Sequence, residues 1–307
     1  MSGDSEERGA PLWAGRFTKP PAPEARALGR SLGFDVRLAA HDVDTTIAHV
    51  RALQDAGLVS AEDAAELEDA LGAIGHEIAE GRFAFEDQDE DVHSAIERAL
   101  IERLGVLGAR VHAGRSRNDL VVTDLRLWLL AAMRRIDGLV VLLVRTLVRR
   151  GREHATTVMP GTTHLRPAQP VTLGHHLLAH AWAMLRDVER FDQWSNRSST
   201  SALGAGALAT STLKLDPDMT AARLGFHRAF ANSIDAVSDR DFVQEFLADA
   251  AICATHLSRL AADLARFTDP ALGWAELDEA YTTGSSMMPS VLAIMSMASR
   301  QPLVITP

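Results

Sequence analysis

Cysteine is almost absent from this sequence. The single Cys253 excludes an intrachain disulfide framework and suits a reducing compartment. It sits in an apolar helical pattern, where an inert core thiol is expected. Aromatic residues make up only 5% of the chain, so a core packed from Leu, Ala and Val is expected. Positive charge is also short. The formal net charge is -10, which argues against the basic surface that non-specific nucleic-acid binding requires. Long apolar runs are missing too. LVVLLV (139–144) ends at Arg145, far short of the ~20 residues a membrane helix needs, and the uncharged stretch from Ser290 to Ser299 is also too short. The opening MSGDSEERGAP is acidic and polar, unlike a signal or transit peptide. With 47% apolar and 23% charged residues over 307 positions, a soluble cytoplasmic protein with a large core and two domains is expected.

What is present is helical periodicity. Residues 1 to about 25 carry Gly, Pro and charge and are expected to be extended or mobile. Ser60 and Asp63 resemble a capping box, and Leu67, Leu71, Ile74 and Ile78 then follow on one helix face. Val92, Ile96, Leu100 and Leu104 repeat at fours, and Gly105 suits a stop. From about Ser116 to Ala155 no proline intervenes, which predicts one very long helix or two nearly continuous ones. Gly138 in its middle is a weak breaker, costing ~1 kcal/mol relative to Ala. Further helices are expected over about 171–195 and 238–266, the latter with Phe242, Phe246, Cys253, Leu257, Leu260 and Leu264 on one side. Period-2 strands are scarce. Helices this long, with apolar stripes to cover, predict a homo-oligomer.

Three polar loops marked by Gly or Pro punctuate the helices: HAGRSRND (112–119), MPGTTHLRPAQP (159–170) and TTGSSMMP (282–289). In the first, Gly114 permits close backbone approach, and Arg115 and Arg117 offer planar forks for carboxylates. Ser116 and Asn118 add hydrogen-bonding groups at a helix N-terminus, which favours an anion. A solvated N-cap is the plainer reading. In the second, His164 is a residue type that can donate or accept a proton, or it merely bonds backbone. In the third, Ser285 and Ser286 follow a glycine, but no GxSxG elbow is present; a serine acts as nucleophile or base only if its pKa is lowered.

Other candidates carry less. His176 and His180 share a helix face near His175, yet no HExxH occurs and no carboxylate has the right spacing, so a structural role and no metal are expected. ALGAGALA (202–209) lacks a preceding strand and the full glycine pattern of a dinucleotide loop. The acidic run EDQDED (86–91) is read as capping the helix that starts near Asp91. Arg134, Arg135, Arg145, Arg149 and Arg150 read as a solvated helix edge.

Together and in this order the loops resemble argininosuccinate lyase of the fumarase/aspartase superfamily. LWAGRF (12–17), SLGFDVRL (31–38), EDVHSAIE (90–97), LGAGALA (203–209) and NSIDAVSDRDFV (232–243) join them. HAGRSRND is the most diagnostic, THLRPAQP is similar to the superfamily's THxQxAQP, and TGSSMMP to the start of its signature loop. The resemblance implies a mainly α fold: a small N-terminal helical domain (1–112), a long-helix bundle (113–289 here, partial), and a C-terminal part that is missing. It implies a homotetramer whose active sites take loops from three subunits. The implied reaction, the last step of arginine biosynthesis, cleaves argininosuccinate to arginine and fumarate with no cofactor. A proton beside a carboxylate is removed and the guanidinium nitrogen expelled, which needs a positioned base, an acid, and donors for the dianionic intermediate. By the resemblance Ser285 is the base and His164 the acid or its relay. Ser31, Arg117, Asn118 and Thr163 bind substrate carboxylates and the amino-acid end. Asp91 and His93 line or order the site, and Arg115, Ser116, Gln169 and Ser286 complete the substrate-binding set. The gate is a Gly-Ser loop that closes on substrate.

The likeness stops at Pro289. Where the family continues Gln-Lys-Lys-Asn-Pro, this chain has Ser290, Val291, Leu292, Ala293 and Ile294. Apolar Val291 and Ala293 cannot replace a lysine and an asparagine that support the intermediate's charge. The tail 290–307 is unlike the family, and a frameshift near codon 289 or a shortened paralogue is expected. Leu120 also stands where the family usually has Gln. The rivals are a related lyase acting on another fumarate adduct and a non-catalytic structural or regulatory paralogue.

Overall fold

Helix starts are written in side chains that bind backbone amides. Ser60 Oγ accepts from Asp63 N at 3.0 Å and opens α2 (Ala61–Ala79), which follows α1 (Ala39–Asp55). Asp91 accepts from Ser94 N at 2.7 Å while Ser94 Oγ accepts from Asp91 N, a capping box that opens α3 (Val92–Leu104). The acidic run before it therefore ends in a cap, as the sequence suggested. Gly105, at φ 57°, stops α3 where a side chain would be strained. The computed structural model describes residues 22–278 and 280, together with the backbone of Thr282–Gly284 and Leu292–Ile294.

Three long helices follow. The stretch from Ser116 forms one uninterrupted helix, α4 (Arg117–Glu153), running straight through Gly138. Then come α5 (Leu173–Ser198) and α6 (Asp241–Phe267). Between α4 and α5 lies a hairpin of β1 (Val158–Thr163) and β2 (Arg166–Thr172), antiparallel, with a register shift between Pro160 and Thr162. Gly161 sits at that bulge because a Cβ there would lie 2.6 Å from the Gln169 carbonyl. The backbone of β3 (Thr282–Gly284) pairs antiparallel with β4 (Leu292–Ile294). Thr200–Ser201 and Arg228–Ala229 make one short parallel pair. The fold is mainly helical, as expected.

The chain forms two compact units, and the three long helices each give residues to both. The first takes residues up to Arg135 and Gln193–Gln244. Its core joins α1, α2 and α3 through Val50, Leu53, Leu67, Leu71, Ile74, Val92, Ile96 and Leu100, all buried. Each such side chain contributes about 2 kcal/mol by leaving water. The periodic residues read from the sequence are thus the ones buried, with Ile78 and Leu104 partly so. Trp194 is fully buried and donates Nε1–H to the Phe242 carbonyl at 2.9 Å.

The second unit takes Ile136–Asp192 and residues from Glu245 on. Within it α4 and α5 meet at glycines: a Cβ on Gly174 would stand 2.3 Å from the Gly151 carbonyl oxygen. Cys253, Leu260 and Leu264 are buried along α6, matching the expected apolar side. Leu139, Leu142, Trp182, Leu185 and Leu247 of this unit stay exposed.

Candidate active site

The first unit gathers Ser31, Asp91, His93, Arg115, Ser116, Arg117 and Asn118. Local chemistry places each. Ser31 N donates to the Glu90 carbonyl at 2.9 Å, and Ser31 Oγ donates to Asp35 Oδ2 at 2.5 Å. Asp35 Oδ1 in turn accepts from Val92 N at 3.1 Å, so Ser31 is tied to the start of α3. Asp91, besides capping α3, receives Arg117 Nη1 on both carboxylate oxygens. Burial would raise the Asp91 carboxyl, but the Arg117 guanidinium overrides it and holds the pKa below the usual range.

The N-terminus of α4 is closed by a reciprocal cap. Ser116 Oγ accepts from Asn118 N at 3.3 Å, and Asp119 Oδ1 accepts from Ser116 N at 2.9 Å. Asp119 is buried, and its second oxygen accepts from Gly204 N at 3.0 Å and Gly206 N at 2.8 Å. The glycine-rich segment 202–209 is therefore a collar around Asp119, with Asn118 Nδ2 donating to the Ala207 carbonyl at 2.9 Å. Gly206, at φ 63°, allows that turn.

Beneath the arginines lies a buried charge cluster. His93 Nδ1 bonds Asp42 Oδ2 and stands 3.6 Å from Asp124 Oδ2. Burial opposes a charge on His93, but Asp42 wins and the pKa is pushed up to about 9. Asp42 is itself held below the usual range despite burial, chiefly by His93. Asp124 goes the other way: burial, then the Asp42 carboxylate beside it, raise it well above the usual range. Within the cluster the imidazole is thus pushed toward its charged form, Asp42 toward its carboxylate and Asp124 toward its protonated form. Arg115 Nη1 donates to Thr46 Oγ1 at 2.8 Å, on the same helix as Asp42. His49, one further turn along α1, bonds the Ala113 carbonyl at 2.9 Å and is neutral, its pKa lowered to about 3 by burial and then by Arg115. His93, Glu97, His112, Arg115, Ser116, Arg117 and Leu120 line a small cleft above this cluster.

The second unit carries Thr163, His164 and Gln169 on the β1–β2 hairpin. His164 (φ 50°) and Leu165 (φ 62°) form its two-residue turn, both left-handed, as a type I′ hairpin turn demands. Neither is glycine, so the turn is strained, and such strain gathers at functional positions. Arg266 of α6 steadies it by donating to Thr162 Oγ1 at 3.0 Å and to the Leu165 carbonyl at 3.4 Å. His164 is exposed at the tip. Ser285 and Ser286 lie outside the described residues, immediately after β3.

Reading the loops alone missed Asp42, Asp119 and Asp124. A signal existed: Asp42, Thr46 and His49 recur at i, i+4, i+7, and Asp124 interrupts an apolar stripe. All are buried, as polar residues on a core face must be when they are paired.

A family described as Lyase matches residues 15–290. The chain is 51% identical over 278 residues to an argininosuccinate lyase of Frankia casuarinae, covering 91% of this chain and 60% of the relative. It is 50% identical to that of Symbiobacterium thermophilum with the same coverage, so it spans about 60% of the length of these relatives. A solved EDDS lyase in complex with formate superposes with TM-score 0.77 at 29% identity, over 90% of this chain and 55% of that one. A fumarate lyase:delta crystallin from Brucella melitensis, at 22% identity and TM-score 0.71, shares the fold over 91% of this chain and 65% of that one. By the match of its sequence from residue 15 to residue 290, this chain belongs to the lyase family.

Proposed function

We propose that the chain carries substrate-recognition and catalytic groups of an argininosuccinate lyase. The observation that carries this reading is Arg117 held on Asp91 in the first unit, with Ser31 bonded to the neighbouring Glu90 carbonyl and Ser116 and Asn118 at the same helix start as Arg117. Two arginines at a helix N-terminus suit a polycarboxylate. In this reading Arg117 is oriented by Asp91 and shares its guanidinium with a substrate carboxylate. Arg115, Ser31, Asn118, Thr163 and Gln169 bind the rest of the substrate, with Ser286 beside the catalytic serine. Ser285 removes the proton beside the carboxylate, and His164 supplies or relays one to the departing guanidinium nitrogen. His93, locked between Asp42 and Asp124, keeps Asp91 and Arg117 in place. The products are arginine and fumarate. The same reading makes the protein cytoplasmic and homo-oligomeric, a tetramer as in the family it resembles. The exposed Leu139, Leu142, Trp182 and Leu247 support association between copies.

The test follows fumarate by its ultraviolet absorbance when the 307-residue chain meets argininosuccinate, with Ser285→Ala as control and calorimetry for binding. Release that disappears in the control is expected, slowed by Val291 and Ala293. An absence of argininosuccinate binding overturns the reading. A second reading, a lyase for another fumarate adduct, is favoured by the superposition on EDDS lyase. Cleavage of EDDS, adenylosuccinate or aspartate in preference to argininosuccinate would select it.

A further inference from the structure

The second unit holds a polar cluster that the reaction above does not use. His176 and His180 lie one turn apart on α5, and Asp263 of α6 reaches them from 87 and 83 positions along the chain. Both imidazoles place Nε2 at 2.9 Å from the same oxygen, Asp263 Oδ2. The three donor atoms all lie within 4.8 Å of one another.

We propose that His176, His180 and Asp263 bind one divalent transition ion of the zinc type. Three arguments support this. The spacing fits first. Two ligands about 2.0–2.1 Å from one ion and at about 90° stand about 2.9 Å apart, and a tetrahedral angle opens this only to about 3.4 Å. The two His–Asp separations of 2.9 Å already match, and a coordination set forms when the two Nε2 atoms, within 4.8 Å of each other, lie at that spacing too. The donor types fit second. Two imidazoles and a carboxylate suit Zn, Ni, Cu or Fe, and two histidines at i, i+4 form a ligand pair on one helix face. Preorganisation is the third. The His176 ring is held edge-on to His180 (centroids 5.4 Å apart) and to Phe267 (5.2 Å), and Phe267 packs against Trp274 (5.7 Å). Fixed rings lose little freedom when an ion arrives.

An imidazole that binds an ion through Nε2 keeps its one proton on Nδ1. His176 and Asp263 side chains are about a third exposed, so the ion has a path from solvent, and water completes the coordination. The ion would fasten α5 to α6, a structural role.

The test uses the whole 307-residue chain, freed of metal by chelation and dialysis, titrated with Co²⁺ and followed by its visible d–d absorption. The expected result is one equivalent bound, displaced by Zn²⁺, with a higher thermal midpoint. His180→Gln and Asp263→Asn should each weaken binding at least about tenfold, and His175→Gln, outside the triad, should not. Circular dichroism checks that each variant keeps its helices, and His176→Gln replaces any that does not. Failure to bind Co²⁺ at millimolar concentration, or unchanged affinity in the triad variants, overturns the proposal.

Discussion

Removing the charge of His93 should change how stability depends on pH. His93 is 4% exposed at its side chain, so solvent screens its partners little. Its pKa rises from 6.5 unfolded to about 9 folded, because Asp42 outweighs burial. That shift corresponds to about 3 kcal/mol. A raised folded pKa means the stabilisation is fully present below pH 6.5 and is lost as pH climbs through 9. Asp124, also raised, acts in the same direction wherever it still holds its proton. Asp42, held low, contributes nothing to the change in this window. On the acid side His49 has the opposite sign. Its pKa is lowered to about 3, so its stabilisation is complete above pH 6.5 and is lost as pH falls. Stability should therefore peak near pH 6.5. The assay is urea unfolding at pH 6.5 and pH 9 on the parent and on His93→Gln. The parent should lose about 3 kcal/mol between the two pH values and the variant clearly less, only what Asp124 contributes. Equal parent stability at both pH values, or an equal drop in the variant, would refute the assignment of an imidazolium at this position.

Gly174→Ala should destabilise by about 3 kcal/mol, seen as a lower urea midpoint, because its Cβ would meet the Gly151 carbonyl oxygen at 2.3 Å and neither backbone can yield cheaply. Arg126 is buried, donates to the Ser198 carbonyl at 3.2 Å and to Asp239, and lies 4.0 Å over the Phe242 ring. Arg126→Ala should cost about 3–5 kcal/mol in the same assay, since it strands the Asp239 charge and empties a buried site. Burial pushes the Cys253 thiol up to about 11, so a disulfide reagent at pH 8 should label it only slowly until urea is added. Fast labelling of the native chain would contradict its placement in the core.

Much of the helical plan was legible in the sequence, and the reason is local. Ser60 and Asp91 each bind the amide three residues ahead, and Leu67, Leu71 and Ile74 recur at helical spacing, so a short window contains the whole signal. The length of α4 was open between one helix and two, because the cost of Gly138 is small beside the gain from continuous packing. The HAGRSRND, THLRPAQP and TGSSMMP loops were legible as chemistry-bearing segments for the same local reason. The partners of those segments were not. Asp42 and Asp124 meet His93 across 51 and 31 positions, and that pairing depends on which faces of three helices come together. The glycines of 202–209 lack the pattern of a nucleotide loop because their amides serve another purpose, donating to Asp119 some 85 positions away. Asp263 had no spacing that linked it to His176 and His180, because α5 and α6 run antiparallel and bring together residues more than eighty positions apart. Composition and period determined the helices, their caps and the polar loops. Only the tertiary structure decided which buried charge answers which, because an unpaired ion in a core costs several kcal/mol and its partner is chosen by packing in space and not by distance along the chain.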